Sequence, residues 1–258
     1  MTTRRSVFSS DGVPIVYDVQ GRGPDTVVFV HGWTCNRSHW QAQMEAFSDR
    51  YRTIAIDLGG HGESGTERTE WTMPSLARDV AAVLDQEMVE KAVVVGHSMG
   101  GRVMVHVAEQ LGHRIVGLVG ADTLKFVRSH SMDGYVKTIR ALESDYAVAA
   151  RGFVESMFTG DTPESVRATI AEGMIGTPAA VGIGAMTGMM NDDGLPGLIE
   201  GLNIPFVVIN SHGSSVDTDG AGELGISIQF VTTKGHFVMN EDPETFNRLL
   251  GEALEKMF

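Results

Sequence analysis

Residues 93–103, VVVGHSMGGRV, constrain the possible fold more than any other stretch of this 258-residue chain. The valines at the start of the segment predict a strand that is buried on both faces. The glycines on either side of Ser98 permit backbone angles and close approaches that a side chain would block. The apolar residues that follow recur at helical spacing. The segment therefore predicts a buried strand, a tight turn that exposes the Ser98 hydroxyl, and a helix.

Strand and helix patterns alternate on both sides of this segment. Residues 7–19 hold two extended runs around an Asp-Gly turn, which predicts a hairpin. Buried-strand patterns recur at residues 26–33, 51–64, 114–122, 204–210 and 226–233. Helical patterns lie between most of them. This alternation predicts an α/β fold, with a mostly parallel sheet and helices on both of its faces.

The alternation is interrupted once, at residues 124–197, where helical stretches occur without a strong strand pattern. We therefore expect a core formed by residues 1–123 and 198–258, with a helical insertion at 124–197. Gly182 and Gly184 within the insertion do not form a nucleotide-binding loop, because no strand precedes them and their spacing is wrong.

Charge and composition exclude several functions. The net charge of −13 argues against nucleic acid or an anionic membrane as a partner. No run of 18 apolar residues predicts a membrane span, and the first residues lack the apolar region of a secretory signal. The single cysteine, Cys35, cannot form an internal disulfide. It therefore favours a reducing, cytoplasmic location. Histidine spacing matches no ligand motif, so we expect no metal.

Residues 96–100, GHSMG, match the pattern G-x-S-x-G between a predicted strand and a predicted helix, which is the context that a nucleophile elbow requires. HGW at 31–33, DLGGHGES at 57–64 and GHFVMNEDPETF at 235–246 accompany it. With these motifs, the chain resembles the α/β-hydrolase fold family over nearly its whole length. The resemblance implies an eight-stranded, mostly parallel sheet, a helical cap at residues 124–197, and a serine esterase or lipase-like member.

The resemblance also implies roles for four residues. Ser98 would be the nucleophile, and it needs a base because a serine hydroxyl attacks poorly by itself. His236, late in the chain, would be that base. The backbone N–H groups of Met99 and Trp33 would form the oxyanion hole, aided by the positive end of the helix that begins near Met99.

The acid of the triad is ambiguous in the sequence. The resemblance puts it after the strand that follows the cap, a position that falls at Gly213 or Ser214, and neither is acidic. Asp217 and Asp219 come a few residues later. Asp122, at the end of the strand pattern at 114–122, is the other candidate, because some family members carry their acid there. Asp122 and Asp217 both stay open from the sequence.

The resemblance predicts a carboxylesterase-like enzyme without a cofactor, acting on a small-molecule ester. We expect Trp33, Met186, Met190 and Phe237 to line the substrate pocket. The same triad would also serve perhydrolysis, as in cofactor-free haloperoxidases, or hydrolysis of a carbon–carbon bond. The missing acid at the usual position favours a third hypothesis, a ligand-binding protein without catalysis. The retained Ser98 and His236 argue against it. The sequence leaves the oligomeric state unknown.

Overall fold

The structure, a computed structural model, describes residues 2–128 and 132–258. Within these ranges eight strands form one sheet. The strands are β1 (Thr3–Phe8), β2 (Pro14–Gln20), β3 (Thr26–Val30), β4 (Arg52–Ile56), β5 (Ala92–His97), β6 (Ile115–Ala121), β7 (Phe206–Ser211) and β8 (Ile226–Val231). Their order across the sheet is β1-β2-β4-β3-β5-β6-β7-β8.

The sheet is mostly parallel, as the sequence predicts. β1 pairs with β2 and β2 with β4 in the antiparallel sense, so the two antiparallel pairings lie at one edge. All other neighbours are parallel. The central strands β3 and β5 are buried throughout, which explains why their sequences are continuous apolar runs rather than alternating ones.

At least one helix follows each of the parallel strands. They are α1 (Gln41–Phe47), α2 (Met73–Gln86), α3 (Met99–Leu111), α4 (Met132–Ser144), α5 (Tyr146–Glu155), α6 (Glu164–Ile175), α7 (Ala179–Met190), α8 (Leu195–Gly201), α9 (Thr218–Glu223), α10 (Val238–Glu241) and α11 (Pro243–Met257). Short 3₁₀ helices lie at Arg37–Trp40 and Gly112–Arg114. Among the described residues, no helix has both the length and the apolar character that crossing a bilayer requires.

Helix ends follow local chemistry. Asp242 caps α11, since its side chain accepts a hydrogen bond from the Thr245 N–H at 3.1 Å, and Pro243 opens the helix. Asn36 caps the 3₁₀ turn before α1, where its side chain accepts from the Ser38 N–H at 2.9 Å.

Five helices, α4 to α8, occupy the chain between β6 and β7, and we call them the inserted helices. α8 runs through residue 197, where the sequence analysis places the end of the insertion. α4 contacts both α5 and α7, and α7 packs on α2 of the core. α5 and α7 also contact Trp33, which follows β3, so these inserted helices lie at the edge of the sheet where the parallel strands end.

Candidate active site

Ser98 occupies a strained turn between β5 and α3. Its backbone has φ 52° and ψ −113°, a conformation that residues with a side chain adopt rarely and at a cost of about 1–3 kcal/mol. Two of the surrounding glycines are required by packing. A Cβ on Gly96 would lie 2.2 Å from the Gly100 oxygen, and one on Gly100 would lie 2.5 Å from the Val30 oxygen. The turn therefore requires glycine at 96 and 100, because other backbone atoms lie where a Cβ would be.

The loop after β3 touches this turn. A Cβ on Gly32 would lie 3.1 Å from the Ser98 Cβ, so only glycine fits without displacement. Trp33 follows directly. Met99 is the first residue of α3, where a backbone N–H has no acceptor within the helix. The fold therefore brings the two residues predicted to form the oxyanion hole next to Ser98.

Trp33 also connects the core to the inserted helices. Its indole Nε1–H donates to the Gly182 carbonyl oxygen in α7 at 2.8 Å. Its ring meets the Phe153 ring edge-on at a centroid distance of 5.3 Å. The orientation of this side chain is consequently set by α5 and α7, not by its own loop alone.

His236 lies in the loop between β8 and α10, and its backbone is held on two sides. Its N–H donates to the Met157 carbonyl at 3.2 Å, and the His97 Nε2 donates to the His236 carbonyl at 3.0 Å. Burial, together with the nearby His236, holds the pKa of His97 well below its usual range. His97 is therefore a neutral donor that positions the loop, consistent with a structural role beside Ser98.

Asp122 follows β6 and is the carboxylate that the structure brings to His236. His236 Nδ1 lies 2.6 Å from Asp122 Oδ2. The Asp122 side chain is fully buried, whereas that of His236 is 21 % exposed. Asp217 instead caps α9, accepting from the Gly220 N–H at 2.9 Å, and Asp219 is exposed in the first turn of that helix.

Two polar residues that the sequence analysis did not name, Ser211 and Lys125, hold the Asp122 carboxylate. Oδ1 accepts from the backbone N–H and the hydroxyl of Ser211, both at 2.9 Å. Oδ2 accepts from Lys125 Nζ at 2.8 Å, and the same ammonium donates to Ser214 Oγ at 2.9 Å. The sequence did hold one signal, since Lys125 stands three residues after Asp122.

These contacts keep the Asp122 carboxylate ionised. Burial acts to raise the pKa of Asp122, but the hydrogen bond from His236 and the positive charge of Lys125 outweigh it. The pKa of Asp122 is thereby held well below its usual range. A carboxylate in this state accepts hydrogen bonds only, which leaves His236 Nδ1 as the donor of their contact.

Two cavities meet at Ser98 and His236. One has a volume of about 560 Å³ and the other about 510 Å³, and both are lined by Ser98, Asp122 and His236. Further residues that line the larger cavity are Trp33, Lys125, Tyr135, Phe153, Met157, Met186, Met189 and Lys234. The nucleophile candidate and the base candidate therefore face the same space.

Two residues predicted for the pocket lie elsewhere. Trp33 and Met186 line the larger cavity, but Met190 and Phe237 are not among the described residues that line either one. The neighbouring residue, Met189, lines both cavities instead of Met190. Phe237 is fully buried, and its ring packs against those of Phe158 and His97 beneath the His236 loop. Sequence proximity to His236 did not indicate which way that ring points.

Within residues 2–128 and 132–258, no group of three His, Cys, Asp or Glu side chains is arranged to hold a metal ion. Cys35 is buried, which raises the pKa of its thiol.

Comparison with known proteins identifies relatives of this chain. A model of the alpha/beta hydrolase fold family matches residues 25–158. A non-heme chloroperoxidase from Streptomyces lividans is 43 % identical over 98 residues, which cover 37 % of this chain and 36 % of that protein. A pimeloyl-[acyl-carrier protein] methyl ester esterase from Vibrio campbellii is 36 % identical over 115 residues, covering 44 % of this chain and 43 % of that protein.

Solved structures extend the similarity to the whole fold. A thermophilic esterase from Thermogutta terrifontis, solved with malate bound, superposes with a TM-score of 0.85 at 24 % identity and covers 99 % of both chains. The chain spans between 34 and 51 % of the length of the curated relatives it matches. The family model matches residues 25–158, whereas the structural similarity extends over 99 % of the chain.

Proposed function

The chain belongs to the α/β-hydrolase fold family, and from that premise we propose that it is a serine hydrolase that cleaves a small or medium carboxylic ester. The observation that carries this proposal is the 2.6 Å contact between His236 Nδ1 and Asp122 Oδ2, at a cavity that Ser98 also lines. Ser98, His236 and Asp122 are then the nucleophile, the general base and the orienting acid.

The proposal gives each of these residues a step in the reaction. Because His236 Nδ1 donates to Asp122, the Nε2 atom is free to take the Ser98 proton as Oγ attacks the ester carbonyl. The backbone N–H groups of Trp33 and Met99 stabilise the oxyanion, each by about 3 kcal/mol. His236 then passes its proton to the departing alkoxide, which leaves as an alcohol. Water, deprotonated by the same base, releases the acid and restores Ser98.

Asp122 contributes by remaining ionised throughout. Its low pKa means that it does not take the proton from His236, so it stabilises the imidazolium by charge and holds the ring in one tautomer. Ser211 supports this function, because its two hydrogen bonds to Oδ1 hold the carboxylate in place.

Replacement of the acid tests the proposal. Asp122→Asn keeps the size of the side chain but offers His236 a donor instead of an acceptor, so we expect kcat to fall on the order of 10⁴-fold. Asp217→Asn is the matched control, since asparagine also caps helices and Asp217 makes no contact with His236. The measurement is turnover of p-nitrophenyl acetate and butyrate by both variants.

A D122N enzyme with near-wild-type kcat would contradict the assignment of the acid. A fluorophosphonate probe tests the nucleophile separately. It should label the wild-type protein and fail to label Ser98→Ala. A wild-type protein that neither reacts with the probe nor turns over either ester would favour the ligand-binding hypothesis.

A second candidate function is perhydrolysis, favoured by the similarity to the Streptomyces lividans chloroperoxidase. In this reaction hydrogen peroxide replaces water in the second step. Its oxygen attacks the acyl-enzyme carbonyl, His236 takes the proton, and a peracid leaves while Ser98 is restored. Formation of peracetic acid from p-nitrophenyl acetate and hydrogen peroxide, measured against acetate formation, distinguishes the two functions.

A further inference from the structure

The larger cavity at Ser98 has a surplus of positive charge. Its charged lining residues are Asp122, Lys125 and Lys234, besides His236. Lys125 neutralises Asp122 through the contact of 2.8 Å. Lys234 therefore contributes a positive charge that no carboxylate in the cavity lining neutralises. The whole chain has the opposite excess, with 33 acidic residues against 20 lysines and arginines. A basic cavity in such an acidic protein points to an anionic ligand.

Lys234 is available to bind that ligand. It lies two residues before His236, is exposed, and makes no ion pair with any carboxylate in the part of the chain that the structure describes. Glu241, the acid closest to this loop in sequence, is engaged elsewhere. Its carboxylate accepts from the Thr233 hydroxyl and, at 3.4 Å, from the Phe237 N–H.

The other walls of the cavity suit the body of such a ligand. Trp33, Phe153, Met157, Met186 and Met189 supply an apolar surface, and hydroxyls of serine, threonine and tyrosine lie among them. An apolar surface beside one cation without a carboxylate partner, that of Lys234, favours a ligand with a hydrocarbon body and an anionic end.

We propose that the substrate is an ester with a carboxylate remote from the scissile carbonyl, and that Lys234 binds this carboxylate while Ser98 attacks the carbonyl. This inference rests on the proposed ester hydrolysis and adds the class of ester. Lys234 is a specificity-determining residue in this scheme, and it takes no part in bond making or breaking.

A series of matched substrates tests the proposal. Monomethyl esters of succinic, glutaric, adipic and pimelic acid carry the carboxylate at increasing distances, and methyl alkanoates of the same carbon number lack it. We expect kcat/KM of the wild-type enzyme to favour the best monomethyl ester over its neutral counterpart by about fivefold, the scale of an exposed ion pair. Release of methanol reports all of these reactions equally.

Two variants isolate the charge. Lys234→Met should bring the ratio of anionic to neutral kcat/KM close to one. Lys137→Met removes the same charge from an exposed position on α4 that does not line the cavity, and it should leave the ratio as it is in the wild type. Raising NaCl to 0.5 M should also reduce the wild-type ratio, because the Debye length shortens to about 4 Å.

The proposal is overturned if the wild-type enzyme shows no preference for any anionic ester, if salt does not change the ratio, or if K137M lowers it as much as K234M. Binding separates this failure from failure of the proposed function. Ser98→Ala should bind the preferred monomethyl ester about fivefold more tightly than S98A/K234M in calorimetry. Equal affinities would overturn the role of Lys234, whereas absence of fluorophosphonate labelling alone would overturn only the hydrolase assignment.

Discussion

Lys125 places a positive charge on the same carboxylate oxygen that His236 uses. Asp122 Oδ2 accepts from both side chains, at 2.8 Å and 2.6 Å. The other titratable groups that face His236 are the neutral ring of His97, at a centroid distance of 4.7 Å, and Lys234 on the same loop. His236 therefore shares its carboxylate partner with an ammonium group that also lines the larger cavity.

Removal of this charge should lower the stability that ionised Asp122 contributes. The pKa of Asp122 lies below its ordinary value of about 4, so its charge stabilises the fold above that pH, and the contribution is lost only as the pH falls through the lowered pKa. In Lys125→Met, one of the groups that lower this pKa is lost. We expect K125M to have a smaller free energy of unfolding than the wild type at pH 7, measured by urea denaturation.

K137M serves as the control, since it removes the same charge from an exposed position that does not line the cavity, and its stability should match that of the wild type. A K125M protein as stable as K137M would contradict the contribution of Lys125 to the ionised state of Asp122.

At the scale of single elements, the glycines of α7 have a packing role that only the structure reveals. In the sequence alone, these glycines match no binding motif. A Cβ on Gly182 would lie 2.2 Å from the Tyr146 hydroxyl oxygen, and one on Gly184 would lie 2.2 Å from Trp71 Cδ1. The glycines allow two aromatic side chains to pack directly against the helix backbone.

Gly184→Ala should therefore destabilise the protein. Alanine favours a helix by about 1 kcal/mol over glycine, but its methyl group would collide with the buried Trp71 ring, and such overpacking costs about 1–3 kcal/mol. We expect a net loss in the free energy of unfolding, measured by urea denaturation. Gly152→Ala in α5 is the control, because that position has no heavy atom within 4 Å of the added Cβ, and it should stabilise. Equal effects at both positions would refute the packing argument.

At the scale of the whole molecule, an ionic contact connects the inserted helices to α3, the helix that begins at the Ser98 turn. Asp192, just after α7, accepts from Arg102 Nη1 at 3.0 Å through its carbonyl and at 3.2 Å through its carboxylate. His106 Nε2 lies 2.8 Å from the other carboxylate oxygen. Arg102 and His106 both belong to α3, so this contact and the Trp33–Gly182 hydrogen bond anchor α7 at two places.

Asp192→Ala should loosen the inserted helices. The substitution removes the carboxylate that Arg102 and His106 contact, while the carbonyl of residue 192 still accepts from Arg102. Loss of the carboxylate acceptor of the largely buried His106 Nε2 costs about 1–3 kcal/mol. We expect faster hydrogen exchange in α7, and a KM that rises more for p-nitrophenyl butyrate than for the acetate ester, since the inserted helices wall the larger cavity. Asp193→Ala, at an exposed neighbouring position, is the control. Unchanged exchange in D192A would contradict this role of the Asp192 carboxylate.

Much of the fold was predictable from local patterns. Residues close together in the chain determine the Ser98 turn, the hairpin of β1 and β2, and the cap of α11. At these places glycine, the capping Asp242 side chain and proline act on the adjacent backbone. The mostly parallel sheet followed from the alternation of strand and helix. The residues that line the pocket were predicted less well. Whether Met190 and Phe237 face a cavity depends on neighbours that are far away in the sequence.

The sequence by itself determined that a serine would stand on a sharp turn after a buried strand, and that a histidine near the end of the chain would be its partner candidate. It left Asp122 and Asp217 both open as the acid, and its one indication of Lys125 was the spacing of three residues from Asp122. Only the tertiary structure shows that Asp122 contacts both His236 and Lys125. These contacts require β6 and β7 to pair, because the pairing brings the residues after β6 close to the residues after β7 and to the His236 loop. Contacts of that kind depend on the register of a sheet, which no local pattern specifies.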